Sequence, residues 1–543
     1  MFYLIQAGAT LQAMNDAGTI VAITLPSGVT VSASKVMKAA VLARQLLVVY
    51  APSKNLWIDP VDLTARSMAI LPPSTVPTVA AGGSAGVGLG LTGKFMAKYS
   101  FAIKDSAGTI KNESPKSDSS LEVTLTDQKL AISAITVSAD ADVNCRRIYR
   151  TAADGTVFFH DQDIDDNVTT AIETATSDAA LSLLPADPDI QLPPGSVNGT
   201  ALRIITQWKG RAWAVSDAAG ERDDVIYTLP NKFYAWAQLN NFPINPGEDS
   251  FGVVAFAARR DALGILKRTR VVKIVGSTEA GFEPVDVAEK IGCVAVGSVI
   301  VVRDKAYWLG LDGVYRWDDD GVVNLTRATV DPWFTTDTYF NRERFPNAFM
   351  SYDPLVNMLK LNLAAVGAST ENRWIGISLE GDDPRIFGPY QTAAFTPTAR
   401  VLSQDDESRF RPLIGGSDGY VYLENQTVSS DIAGGTLVAS AISSLAKTKW
   451  HSKKNPKVTH YFGELSVLSR IESAGALVIT PYVGGLDAGA GATFSHDLTL
   501  GYERLGRLGV GRLASLEFSQ ATAGRRWLVF GYDIEPLHEV GWR

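Results

Sequence analysis

GSVIVVRDKAYWLGLDGVYRWDDDGVVNLT, Gly297 to Thr326, sets short apolar runs between Gly and Asp turns. Runs of this length, bounded by turn residues, read as strands. Within it DGVYRW (Asp312 to Trp317) returns later as DGYVYL (Asp418 to Leu423), a quasi-repeat without the fixed period of a WD40 array. Between about Val197 and Gln426 comparable runs follow in series, among them ALRIITQWKGRAWAVSD, DALGILKRTRVVKIVGS, NAFMSYDPLVNMLKLNL and RWIGISLEG. Such degenerate four-stranded units are what a β-propeller needs, because each sheet buries its two faces only against its neighbours. The expected fold is mainly β: a β-propeller with an inserted immunoglobulin/fibronectin-III-like β-sandwich.

Working outward, residues 1–75 read as a meander that contributes to the propeller. TLQAMNDAGTIVAITL gives two strands about Asp16-Ala17-Gly18, and RQLLVVYAPSKNLWIDP gives another pair. The Pro/Gly-rich stretch Leu71–Gly93 reads as a linker. Residues 92–186 form the expected sandwich: Phe95, Ala97, Tyr99, Phe101 and Ile103 alternate with polar residues, and in RRIYRT Ile148 faces opposite to Tyr149. The prolines of LPADPDIQLPPG close that unit, since proline cannot join a central strand. Residues 197–430 hold the propeller blades. Residues 431–543 are β again through GALVITPYV, LASLEFS and RRWLVFGYDIEPL, and are read as closing the ring.

One stretch argues for different chemistry. In GVGLGLTGKF (Gly86 to Phe95), Gly88, Gly90 and Gly93 have dinucleotide-loop spacing, and Gly88 with Gly93-Lys94 has P-loop spacing. A phosphate site needs a strand before the glycines and a helix after them, whose N-terminus presents amide donors. Here prolines precede and strand alternation follows, and Phe95 replaces the magnesium-binding hydroxyl. A flexible glycine-rich linker is the better reading.

The 543 residues suffice for two or three domains. The 47 Gly and 25 Pro, with 49 aromatic residues (21 Phe, 17 Tyr, 11 Trp), favour short strands joined by tight turns. With 58 acidic against 50 basic residues the net charge is -8, against a surface that grips nucleic acid throughout. Cys145 and Cys293 lack zinc or redox spacing and read as buried thiols. The opening MFYLIQAGAT lacks a basic n-region, so no secretory signal is expected, and no apolar run reaches membrane-spanning length.

Catalytic patterns are weak. The five histidines, at 160, 451, 460, 496 and 538, come without a G-x-S-x-G elbow. Asp318, Asp319 and Asp320 fit an acidic hairpin turn better than a glycosidase pair. DQDIDDN places Asp161, Asp163 and Asp165 at calcium-loop positions, but Asp166 replaces the glycine and Ile172 the bidentate Glu. No enzyme activity, cofactor or metal is expected. Partner or DNA contact falls to two basic groups: Arg342 and Arg344 in NRERF, and Lys447, Lys449, Lys453, Lys454 and Lys457 around Trp450. The wet face of a strand explains the second group equally well.

The ordered set RRIYRT, GRAWAV, LGILKRTRVVKIVG and AYWLGLDGVYRW followed by NLT resembles the tail nozzle or tail-hub proteins of short-tailed bacteriophages, over most of the chain. The resemblance implies a virion tail protein made in the host cytoplasm. It implies a homohexameric ring beneath portal and adaptor that lines the exit channel, retains packaged double-stranded DNA and releases it without sequence specificity. Tail fibres or spikes would attach outside. An acidic chain suits a channel that must not grip a polyanion. The rival reading is a carbohydrate-binding propeller adhesin presenting Trp57, Trp236, Trp333 and Trp374, and a third is a polysaccharide depolymerase.

Overall fold

Short runs rich in β-branched and aromatic residues, set between tight turns, build most of the regular structure among the described residues. The computed structural model describes residues 2–15, 19–27, 29, 31, 37–49, 55–181, 190–192, 202–218, 220–248, 250–380, 384–391, 396–404, 410–418, 420–424, 430–432, 439–441, 444–447, 460–469, 476–484, 489–500, 502–511, 513–520 and 529–539. Among them the protein is mainly β, in many small antiparallel sheets. Two compact units are present: residues 1–361 with 377–386 and 404–409, and residues 362–376 with 387–403 and 410–543.

In the first unit β1 (Phe2–Ala7), β2 (Thr10–Asn15) and β3 (Ile20–Ala22) form one sheet, and β4 (Lys38–Leu42), β5 (Gln45–Val49), β6 (Leu56–Ile58) and β7 (Ala65–Ser67) form the next. The strand pairs expected here are present, although Asp16–Gly18 lies outside the described residues. Leu11 and Ala13 of β2 share a core with Val48, Leu56 and Ile58, so the two sheets pack face to face.

Then come β8 (Thr78–Ser84), β9 (Leu91–Phe95), β10 (Ala97–Lys104), β11 (Ile110–Glu113), β12 (Val123–Ser133), β13 (Cys145–Thr151), β14 (Phe158–Ile164) and β15 (Ile172–Thr174). They make two sheets, β11-β10-β13-β14 and β15-β12-β8 with β9 also on β12. Phe95, Tyr99, Phe101, Leu125, Leu130, Ile132 and Ile148 fill one core. Tyr149 faces the other way and donates its hydroxyl to Glu113. The stretch read as a linker is therefore corrected: it contains β8 and the start of β9. Most side chains of β8 are small and exposed, and an edge strand with no buried face carries no period-2 apolar signal.

Three meanders follow. The first is β16 (Ile190–Gln191), β17 (Leu202–Trp208), β18 (Arg211–Ser216), β19 (Asp224–Thr228) and β20 (Trp236–Pro243), in the order β16-β20-β19-β18-β17. The second is β21 (Ala255–Ala258), β22 (Leu263–Leu266), β23 (Arg270–Val275) and β24 (Glu283–Glu289). The third is β25 (Ile300–Val302), β26 (Lys305–Leu309), β27 (Val314–Asp318) and β28 (Gly321–Asn324), the stretch with which the sequence reading began. Its acidic turn is a two-residue hairpin, with Asp318 paired to Gly321. Helix α1 (Arg327–Thr335) and a 3-10 turn (Arg342–Asn347) lead to β29 (Phe349–Asp353), β30 (Met358–Leu363), β31 (Arg373–Ser378) and β32 (Ile386–Gln391).

The stacking is serial. β4 lies against β17, β17 against β21, β21 against β25, and β25 against β29. Trp213, Val215 and Tyr227 pack on Leu263, Ile265, Val272 and Ile274, while Leu266 and Val271, on the opposite face of the same two strands, meet Ala306, Trp308 and Trp317. The Leu202 amide donates to Asn55 Oδ1 at 2.8 Å, a tie across 147 residues of sequence.

The second unit includes β33 (Pro397–Gln404), β34 (Phe410–Gly416) and β35 (Val421–Leu423), then a pair, β36 (Ser430–Ile432) with β37 (Ala439–Ala441). Its remaining strands are β38 (Ser444–Lys447), β39 (His460–Ser469), β40 (Ala476–Gly484), β41 (Phe494–Asp497), β42 (Tyr502–Gly511), β43 (Leu513–Gln520) and β44 (Val529–Glu539). They form sheets β38-β43-β40-β41 and β42-β39-β44, which share a core of Leu465, Val467, Leu477, Ile479, Leu516 and Phe518. The quasi-repeat is real but out of step. Asp312 accepts from the Tyr315 hydroxyl three residues on, whereas Asp418 accepts from Tyr422 four residues on.

Candidate functional site

Of the basic residues singled out from sequence, Arg342 and Arg344 sit on the 3-10 turn after α1. That segment is anchored from below, where Phe334, Phe340 and Phe345 are buried and in ring contact. Above, Trp333 lies 5.8 Å from Tyr339, and both guanidinium groups are half-buried beside them in sequence. Arg342 Nη2 donates to the Leu311 carbonyl at 3.5 Å while its buried Nε has no hydrogen-bond partner. With the Asn347 amide turned so that its oxygen faces the guanidinium, that oxygen accepts from Arg344 at 3.2 and 3.3 Å. Across residues 327–347 three arginines (327, 342, 344) offset three acids (331, 337, 343), so the patch has cations within reach but no net charge. Lys447 ends β38, its backbone paired with Glu517; Lys449, Lys453, Lys454, Lys457 and Trp450 lie outside the described residues.

The phosphate-like glycines do bind an anion, and it is the protein's own. The amides of Gly88 and Gly90 both donate at 2.9 Å to the carboxylate of Asp127, which these bonds hold below the usual carboxylate range. No signal near the glycines announces this, because the acid lies 37 and 39 residues away.

The calcium-like acids divide. A β-bulge between the Ile148 and Tyr149 pairings turns Asp161 away from its neighbours, so that it lies 3.8 Å from Arg150 Nε, with both side chains fully buried. Asp163 and Asp165 stay together beside the Cys145 thiol, with oxygen and sulfur atoms within 4.8 Å of one another. The cation they meet is Lys104, whose Nζ lies 2.9 Å from Asp163 and 2.6 Å from Asp165. Burial pushes the Cys145 thiol up to about 12, so it is a poor nucleophile. Burial alone would raise the Asp163 carboxyl, but hydrogen bonds from His160 and Lys104 and the charge of Arg147 outweigh it and hold that carboxyl well below its ordinary value. A carboxylate depressed on folding contributes stability above its unfolded pKa of about 3.9, and that contribution is lost as pH falls toward the folded value. The β8–β15 region should therefore keep its denaturant midpoint from pH 7 to 5 and lose it below about pH 4. Asp163→Asn should flatten that acid limb in a urea titration run at several pH values.

A constellation with no sequence signal appears in the second unit. Ser469 Oγ lies 2.8 Å from His496 Nε2, and Glu503 Oε2 lies 2.9 Å from His496 Nδ1, the pairing order of a nucleophile, base and orienting acid. Its surroundings argue for structure instead. Ser469 continues the inward-facing row of Leu465 and Val467, and the His496 side chain is fully buried near Leu477 and Leu498 in the chain pattern. The trio joins β39 and β42 of one sheet to β41 of the other, satisfying a buried imidazole.

The aromatic residues offered for glycan contact are partly withdrawn. Trp57 and Trp236 are buried, Trp57 against Phe233. Trp374 is half-buried between Tyr390 and the Arg400 guanidinium. Among the described residues no helix is long and apolar enough to cross a membrane.

No family model matches the chain, and no curated protein matches it. Among solved structures it is similar to a chain of the mitotic checkpoint complex, at 7% identity and a TM-score of 0.30 over 71% of this chain and 85% of that one. It is also similar to PorZ, a bacterial surface component of the type-IX secretion system of Porphyromonas gingivalis, at 10% identity and a TM-score of 0.25 over 76% of this chain and 52% of that one.

Proposed function

We propose that this chain is a virion structural protein, a tail nozzle or hub subunit that forms a homohexameric ring below portal and adaptor, retains double-stranded DNA and then releases it. The ordered motifs that resemble the nozzle family motivate the reading. The observation that carries it is the serial contact of edge strands, β4 to β17 to β21 to β25 to β29. A propeller arranges its blades in this way, with inner strands side by side and cores shared only between neighbours. The sheet β4–β7 neighbours the sheet of β17 although β8–β15 intervene in sequence, which supports a sandwich inserted in a propeller loop. The sheet order β11-β10-β13-β14 supports an immunoglobulin/fibronectin-III-like type for that insert.

The role is mechanical. Each lysine or arginine that neutralises a phosphate adds affinity and slows passage. A chain of net charge -8, whose Arg342 and Arg344 patch is balanced by acids, favours transit over gripping. Mixed with its portal and adaptor proteins, the full chain is expected to assemble a sixfold ring visible by electron microscopy. A chain that stays monomeric on that template, or that binds host glycans as a monomer, would remove this reading.

A further inference from the structure

We propose that Cys145, Asp163 and Asp165 form a binding site for a divalent metal ion of the zinc class, in which the Lys104 ammonium holds the place that the metal takes. Among the described residues no other three His, Cys, Asp or Glu side chains bring their ligand atoms within 4.8 Å of one another. Pairing in one sheet sets them together. Cys145 of β13 pairs with Ala102 of β10, and Lys104 lies two residues beyond Ala102, on the same face. On the other side Arg147 pairs with Asp163 and Arg146 with Ile164, so the register continued by one residue sets Cys145 beside Asp165. Side chains mounted on paired strands are held more precisely than those on loops.

The thiol is what points to a metal. Cys145 is fully buried and aimed at the two carboxylates, yet among the described residues it has no hydrogen-bond partner. The Cys293 thiol, also buried, donates to the Ala295 carbonyl at 3.3 Å. Asp163 is oriented from behind, as ligating carboxylates are: His160 Nε2 at 2.7 Å and Arg147 Nε at 3.2 Å both bond its Oδ1. Its Oδ2 is left facing the Lys104 ammonium. Asp165, with 71% of its side chain exposed, opens the site to water.

Binding is an exchange in which charge balances. As the metal–sulfur bond forms, the thiol proton leaves for water, and Lys104 withdraws to solvent still protonated. Two positive charges depart and a divalent ion brings two, so the site keeps its net charge beside Arg147. A thiolate selects zinc, cadmium or cobalt over calcium or magnesium. Three protein ligands with water in the fourth position make a tetrahedral site, with bonds of about 2.3 Å to sulfur and about 2.0–2.2 Å to oxygen. No zinc spacing marks the sequence, because the thiol and the acids lie on different strands.

Cobalt(II) added to the full chain is the probe, since a cobalt–thiolate bond gives a near-ultraviolet charge-transfer band that carboxylate ligands alone do not. Wild type and Cys293→Ser should show the band, Cys145→Ser should lose it, and added zinc should bleach it. Asp165→Asn changes an exposed side chain and leaves the fold intact, and it should weaken cobalt binding by at least the roughly 10–100-fold that an outer-shell change costs. Lys104→Met should tighten binding about tenfold or more, because a competitor that fills the site about nine-tenths of the time lowers the apparent affinity by that factor. A wild-type chain without the band, or a band that survives Cys145→Ser, would overturn the site. Cobalt affinity unchanged or weakened by Lys104→Met would overturn the exchange. None of these outcomes depends on whether the chain assembles into a ring.

Discussion

Trp213→Ala is expected to lower the stability of the first unit by about 3–5 kcal/mol, the range for emptying a buried indole site. Trp213 is fully buried and belongs to both the β16–β20 sheet and the core it shares with β21–β24. Its ring stacks on Tyr227 at 4.5 Å and meets Phe282 edge-on at 5.1 Å and Trp208 at 5.6 Å. Its Nε1 donates to the Trp208 carbonyl at 3.1 Å. Alanine would remove these contacts together, and the rigid sheets on either side cannot close the gap. In urea the midpoint should fall with the slope unchanged, as befits a loss of stability without a change in exposed surface. Trp213→Phe should recover part of the loss, because a smaller ring still stacks on Tyr227. An alanine variant as stable as the parent would mean that the two sheets do not share this core.

The second large effect is electrostatic. Lys267 is fully buried, with Nζ 2.9 Å from Asp223 and within 2.8 and 3.2 Å of the Asn245 and Ile244 carbonyls. The contact to Asp223 is an ion pair rather than an aligned hydrogen bond, as that carboxylate oxygen has no hydrogen-bond partner. Lys267→Met keeps the unbranched apolar stem of the side chain and deletes the charge, leaving a carboxylate and two carbonyls without their cation. Removing one partner of a buried pair costs about 3–5 kcal/mol. Adding Asp223→Asn should return part of it, and a coupling of about 0.5–3 kcal/mol in the double-mutant cycle would identify the pair as the source. Strict additivity would place the cost in packing instead.

Much of the β architecture was legible because its signals are local. Hairpin turns such as Asp318–Gly321 and the alternation of Ala97 to Ile103 depend on residues a few positions apart. The thiols of Cys145 and Cys293 are buried, as their isolated spacing implied. The edge strand β8 escaped notice because it buries no face. The Ser469–His496–Glu503 trio escaped because its members come from three strands, and the acid that fills the glycine loop comes from a fourth. Trp57 and Trp236 looked available as surface aromatics, yet an indole is apolar enough that a neighbouring sheet covers it whenever one is near.

The amino-acid order alone determined where strands begin and turn, and which side chains of a strand share a face, since backbone sterics and a two-residue period act within a hairpin. Only the tertiary structure decided which sheets stack in series, that Lys104 meets Asp163 and Asp165, and that Asp127 closes the glycine loop. Those pairings depend on burial and on charges brought together from distant positions, and their energy exists only once the intervening chain has folded.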